Sequence, residues 1–298
     1  MLLRLPIKDS SVLIAGMARD VAPFVKVEIE RLLDCTKAFK KVHILVVESD
    51  SSDNTLSELD SLKLDHHNFN YISFGKLSGI IKSRTERIAH CRNWVIKSLQ
   101  ENPSYADVDF VMLADLDGLN NLLTPRKISH CWDVKENWDG IFANQADHYY
   151  DIYALRHSDW SPVDCGAQQL RMEPIFGRSL AHHLAVSSKQ ICLSENLGLI
   201  EVESAFGGFG IYKKAAFLSG SYVGSESSVD ICEHVPFHRS LRERGYKLYI
   251  NPALINCDQP MNLSTRPRRR LALNALKKVG HFILGRSRFK KYLDLLKE

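Results

Sequence analysis

The chain has 298 residues, of which 45% are hydrophobic and 25% charged, a globular composition long enough for one large domain or two small ones. Charge separates along it: from Thr265 to Glu298 eleven Lys/Arg face only Asp294 and Glu298, a local balance of +9, so the formal total of +4 leaves residues 1–264 at −5. An acidic body excludes nucleic acid as the partner of the domain as a whole, and no apolar run approaches a membrane span.

The opening Met1-Leu-Leu-Arg-Leu-Pro is interrupted too soon for a signal peptide, so a cytoplasmic protein is expected. Seven cysteines (Cys35, Cys91, Cys131, Cys165, Cys192, Cys232 and Cys257) are odd in number, scattered and free of any Cys-x-x-Cys pair. They read as reduced thiols, with neither a disulfide framework nor a zinc site indicated.

Ser11 to Gly16 predicts a first strand, and Ala22 to Leu33 the helix behind it, with Pro23 in its first turn. His43 to Glu48, almost continuously apolar, is a second strand, followed by a Ser/Asp-rich turn over 49–55 and a short helix. Tyr71 to Phe74 is a third strand. Thr85 to Leu99 is helical, with Ile88, Cys91, Val95 and Leu99 on one face. The apolar run Phe110 to Ala114 leads straight into Asp115-Leu-Asp117, and Asp139 to Asn144 is another strand. Asp147 to about Gly198, irregular and rich in His, Tyr and Trp, is expected to form long loops or a lid. Order returns at Ala205 to Tyr212, then in a helix over Val235 to Gly245 and a last strand over Lys247 to Pro252. Apolar strands alternating with helices predict an α/β fold, with a mostly parallel central sheet and helices on both faces. Ligands in such sheets gather at the carboxyl ends of strands, where Glu48, Asp115 and Asp117 fall.

Two carboxylates that reach one side of a turn repel each other unless a proton or a cation intervenes. Hard oxygen ligands suit Mg²⁺ or Mn²⁺, which keep positions open for a substrate diphosphate. Taken alone, the triplet is equally a capped strand end, with Asp117-Gly118 making a turn.

These pieces, in this order, resemble the nucleotide-sugar glycosyltransferases of the GT-A fold over roughly residues 11–260. The resemblance implies one Rossmann-like GT-A domain over 1–264, with a nucleotide-sugar half at about 11–145 and an acceptor half at about 146–264. It implies that Ala15, Arg19 and Glu48 hold the nucleoside. Asp115 and Asp117, joined by Asp258 or His234, would hold Mn²⁺ or Mg²⁺ on the diphosphate of a UDP- or GDP-linked sugar. Within the fold, the pattern is similar to the fungal capsule-associated mannosyltransferase-like family through Ser83-Arg84, Arg87, Ala89-His-Cys-Arg92-Asn93, Asp115, Asp117, Tyr150-Asp151 and Ala154-Leu-Arg156. On that likeness Arg84, Arg87, Arg92 and Asn93 serve the diphosphate, through the bidentate fork that guanidinium offers. Asp151, Phe206, Gly207, Gly208 and His234 serve the sugar or the acceptor, although a glycine bulge in a core strand explains Gly207 and Gly208 as well. Asp230-Ile-Cys-Glu233 matches the acidic motif that opens the acceptor-side helix in inverting members, which makes Glu233, and after it Asp230, the candidate general base. A carboxylate stabilised there by the helix dipole is physically as reasonable.

The function implied is metal-dependent transfer of a sugar to a saccharide or lipid-linked saccharide acceptor, in cell-surface polysaccharide or glycan synthesis. One rival is a phosphatase or phosphotransferase of the haloacid dehalogenase kind with Asp115 as nucleophile, although the motif comes mid-chain and runs on into Leu119-Asn120. Another is a saccharide- or membrane-binding relative without catalysis. The tail over 265–298 mixes Arg268-Arg-Arg with Leu273, Leu276, Ile283, Phe289, Tyr292 and Leu296. That pattern suits a basic amphipathic segment on an anionic membrane surface, placing the protein peripherally on the inner face, with a helix packed on the domain as the alternative.

Overall fold

Strands form where the chain is apolar on both faces. In the structure, a computed structural model that describes residues 5–226 and 229–258, the elements run β1 (Ser11–Ala18), α1 (Val25–Thr36), β2 (Lys41–Glu48), α2 (Thr55–Asp65), β3 (Phe69–Ser73), α3 (Arg84–Glu101), β4 (Phe110–Asp115), α4 (Pro125–Asp133), β5 (Gly140–Gln145), α5 (Cys165–Ala185), β6 (Ile200–Glu201), β7 (Phe209–Lys213), α6 (Lys214–Ser219), β8 (Ser225–Glu226), β9 (Val229–Asp230), α7 (His234–Glu243) and β10 (Leu248–Cys257). The basic tail, and with it the expected membrane contact, lies outside the described residues. Among the described residues no helix is long and apolar enough to cross a membrane.

Eight strands join in the order β3-β2-β1-β4-β7-β5-β10-β6, with β7 and β6 antiparallel to their neighbours and the other pairings parallel. Alternation along β1 divides the core into two layers. Leu13 and Ala15 pack with Val95 of α3 and with Phe217 and Phe237 of α6 and α7, whereas Val12 and Ile14 pack with Ile29, Leu59 and Ile128 of α1, α2 and α4. Both faces are therefore covered, as a parallel sheet requires. In register, Ala18 of β1 lies opposite Glu48 of β2, and Met17 lies opposite Asp115 of β4. The carboxyl ends of three central strands thus finish on one line.

The structure departs from the expected loops over 147–198. Helix α5 forms there, N-capped by Asp164, whose Oδ1 accepts from the Ala167 N–H at 2.7 Å. Its axis breaks at Gly177, which has φ +73°, three residues after Pro174. Both residues interrupt the apolar period by which a helix is recognised in sequence. Helix α4 was likewise unexpected; Thr124 caps it and Pro125 starts it.

Candidate active site

β4 delivers Asp115 to the sheet edge, where its N–H donates to the Gly208 carbonyl at 2.8 Å. Leu116 turns back into the core beneath Gly16, where a Cβ would lie 2.6 Å from Leu116 Cδ1. Asp115 and Asp117 border the cleft above, as Leu116 itself does, and Gly118 (φ +92°) completes the turn. Asn120 locks it from below, donating to the Asp115 carbonyl at 2.7 Å and to Glu28 Oε2 at 2.6 Å.

Over this edge opens a cleft of about 670 Å³, walled by the first turn of α3 and by residues 230–234. Six acidic side chains line it, Asp50, Asp115, Asp117, Asp151, Asp230 and Glu233, against Arg19, Arg84, Arg87 and Arg92. That excess of carboxylates has an electrostatic consequence. Burial, opposed by Arg92 but reinforced by Asp117, Asp151 and Glu233, pushes Asp115 up to about 8. Burial also raises Asp151, although Gly207 N–H and Ala154 N–H donate to its carboxylate at 3.0 and 3.3 Å. Asp117 is raised as well, by loss of water along the cleft wall. A cation relieves such a cluster. Asp115 and Asp117 supply hard oxygens suited to Mn²⁺ or Mg²⁺. Among the described residues no third His, Cys, Asp or Glu gathers with them at ligand spacing. Asp258 stands apart from the cleft lining and accepts from Asn121 Nδ2 at 2.9 Å.

The four arginines fall into two kinds. Arg92 is 6% exposed, and its Nε faces Glu233 Oε1 at 3.2 Å while Nη2 faces Asp115 Oδ1 at 3.9 Å. Its guanidinium lies between the rings of Phe206 and Tyr222, 5.0 and 5.5 Å from their centroids, and Nη1 contacts His234. Burial works against its charge, but Glu233, Tyr222 and Asp115 more than offset this and keep it protonated. Arg87 is committed too: Nε meets Asp50 at 3.2 Å, and Nη1 donates to the Ile81 and Lys82 carbonyls at 2.9 and 2.7 Å. Arg84, at the start of α3, and Arg19, which lies 3.7 Å from the exposed Asp20, face the cleft and solvent. These two are the guanidiniums best placed to meet an anion.

The other expected site residues divide similarly. Glu233 precedes α7 and lines the cleft with its side chain 7% exposed; Asp230, at the exposed rim, accepts from Ser83 Oγ at 2.7 Å. Phe206 and His234 also line it, but their rings stack on each other at 4.0 Å, so one face of each is already taken. Burial, then Arg92 and His238, hold His234 well below the usual imidazole range, and it is neutral. Ala15 sits inside β1, below the cleft floor made by Met17 and Ala18. Glu48 is buried, accepting from Ser51 N–H at 2.9 Å and from Ser73 Oγ, and does not reach the cleft. Asn93 is tied to Tyr222, donating to its carbonyl at 2.8 Å and accepting from its N–H at 2.7 Å. Gly207 and Gly208 form a turn with φ of +71° and +82° beside Asp115 and are not part of the lining.

Sequence reading missed Asp50, the acid from the end of β2 that does face the cleft. Its φ of +63° turns the chain there, and hydrogen bonds from Ser78 together with Arg87 outweigh burial and hold its carboxyl low. Its signal was an Asp two residues beyond the strand end. Tyr150, matched in the Tyr150-Asp151 pattern but given no role, also lines the cleft, as does Tyr153, which carried no signal beyond its nearness to Asp151.

No protein-family model matches the chain, the fungal capsule-associated family included, and no curated protein matches it. Among solved structures, the chain is similar to the mannosyltransferase PcManGT from Pyrobaculum calidifontis, solved in complex with GDP-Man and Mn²⁺, with 13% identity, a TM-score of 0.45, and coverage of 84% of this chain and 57% of that one. It is also similar to residues 1–349 of S. aureus TarS, with 11% identity, a TM-score of 0.41, and coverage of 81% and 57%. The same protein in complex with UDP-GlcNAc aligns at 11% identity and a TM-score of 0.43, covering 81% and 55%. The chain thus spans little more than half the length of these structures.

Proposed function

We propose that the chain is a metal-dependent glycosyltransferase of the GT-A type, using a UDP- or GDP-linked sugar. One observation carries this reading: the Asp115/Asp117 pair, the first turn of α3 with Arg84, and Glu233 all face one cleft of about 670 Å³ at the carboxyl ends of β1, β2 and β4. Each satisfies one requirement of the reaction. Asp115 and Asp117 would hold Mn²⁺ or Mg²⁺, which when bound neutralises charge on the departing diphosphate. Arg84, Arg19 and the N–H groups opening α3 would bind phosphate oxygens. Glu233, or after it Asp230, would take the proton of an acceptor hydroxyl as that oxygen bonds to the sugar and the sugar–diphosphate bond breaks. Arg92 would hold Glu233 in place from behind. The acceptor would be a saccharide or lipid-linked saccharide, met at an anionic membrane surface by the basic tail over 265–298.

The test is a thermal-shift series with UDP and GDP, with and without Mn²⁺. Binding to the native state alone raises the melting temperature, so one nucleotide should stabilise the protein in a Mn²⁺-dependent way and Asp117→Ala should abolish that dependence. Unchanged Mn²⁺-dependent binding in the variant would refute the assignment. A beryllofluoride adduct on Asp115 would instead establish the phosphatase alternative.

A further inference from the structure

Three side chains of different ligand type converge where the chain leaves β5. His148 Nδ1 lies 2.7 Å from Asp147 Oδ1, Cys192 Sγ lies 3.7 Å from the same oxygen, and the three ligand atoms all fall within 4.8 Å of one another. None of the three lines the cleft. A tetrahedral ion with bonds of about 2.0–2.3 Å spaces its ligand atoms roughly 3.3–3.8 Å apart. Small side-chain rotations would therefore close the set.

The backbone already holds the two segments together. Tyr149 N–H donates to the Ile191 carbonyl at 2.9 Å, Gln190 Nε2 to the Tyr150 carbonyl at 3.1 Å, and Asn144 Nδ2 to the Leu193 carbonyl at 3.2 Å. Cys192 is thus brought to Asp147 and His148 by contacts independent of any ion, so little ordering remains to oppose binding. The site is also accessible: the Asp147 and His148 side chains are 42% and 23% exposed, and Cys192 is exposed.

The order of contacts distinguishes two chemistries. A nucleophilic thiol needs an imidazole against its sulfur and a carboxylate behind the imidazole. Here the Asp147 carboxylate is the hub touched by both the thiol and the imidazole. What remains is a mixed sulfur, nitrogen and oxygen donor set, which suits borderline Zn²⁺ rather than Mg²⁺ or Mn²⁺.

We propose that Asp147, His148 and Cys192 form a Zn²⁺ site, separate from the Asp115/Asp117 pair. Binding releases the Cys192 thiol proton to solvent and ties the 190–193 loop to the segment that carries Tyr150 and Asp151 into the cleft. The proposal is independent of the glycosyltransferase reading.

Co²⁺ serves as the probe, because a cobalt–thiolate bond gives a near-ultraviolet charge-transfer band that carboxylates alone cannot produce. Titrating chelator-treated full-length protein with Co²⁺ should develop that band to one equivalent, and Zn²⁺, but not excess Mg²⁺, should abolish it. Cys192→Ser should lose the band while keeping its melting temperature, His148→Ala should weaken binding on the order of 10-fold or more, and Asp117→Asn should leave the titration unchanged. Absence of a band in the wild type, or its persistence in Cys192→Ser, would overturn the site.

Discussion

Arg92 and Glu233 form a buried ion pair whose worth can be measured. Their side chains are each 7% exposed and 3.2 Å apart, and Arg92 also lies between the rings of Phe206 and Tyr222. Arg92→Met removes the cation and leaves the Glu233 carboxylate without its partner, close enough to Asp115 and Asp151 to act on both electrostatically. Breaking one side of a buried pair costs about 3–5 kcal/mol. For a chain of this size, at roughly 2–4 °C per kcal/mol, the melting temperature should fall by about 6–20 °C. Glu233→Gln should cost less, because the amide oxygen stays beside Arg92 Nε and no buried anion is left without a partner. The double variant Arg92→Met/Glu233→Gln should then be more stable than the sum of the single losses predicts, with a coupling on the order of 1–3 kcal/mol. Urea denaturation of all four proteins, with m-values checked for constancy, gives the cycle directly. The reasoning fails if Arg92→Met loses less than about 1 kcal/mol, or if the two substitutions add to within ~0.5 kcal/mol.

Other outcomes follow from the same residues. If the proposed glycosyl transfer holds, Glu233→Gln, assayed at a temperature where it remains folded, should keep donor binding and lose transfer by roughly 10²–10⁴-fold; near-normal turnover would move the proposed proton transfer to Asp230. Asp115 has a folded value of about 8 against 3.8 for the free side chain, so between these values the native state holds the extra proton. Its contribution is therefore full below about pH 4 and lost as pH rises through about 8. In metal-free protein, the melting temperature of the wild type relative to Asp115→Asn should fall across that window and recover on adding Mn²⁺; a flat difference curve would contradict this. Gly207→Ala would force an L side chain into φ +71° and bring its Cβ to 2.8 Å from the Ala143 carbonyl oxygen. It should lower stability by about 1–3 kcal/mol, and a loss under ~0.5 kcal/mol in urea titration would show that the turn relaxes freely.

The chain's local patterns determined the longer strands of the sheet and the place of the acidic pair. β1, β2 and β4 were legible because a strand buried on both faces must be apolar almost throughout, and α3 because Cys91, Val95 and Leu99 repeat at helical spacing. Asp115 and Asp117 followed from the abrupt end of an apolar run. Tertiary structure alone decided which polar groups are free. Arg84, Arg87 and Arg92 look alike within one helix, yet burial against Glu233 and Asp50 commits two of them and leaves Arg84 at the cleft. Glu48, the acid expected from β2, is turned inward to brace Ser51 and Ser73, and Asp50 takes the cleft-facing place after a left-handed step. Helix α5 was hidden by Pro174 and Gly177, and Cys192 meets Asp147 across 45 residues of chain. Periodicity reports on neighbours within a few residues, because it reflects which side of one element is buried. Partnership between charges or ligands depends on which distant segments packing brings within about 4 Å, and no local pattern records that distance.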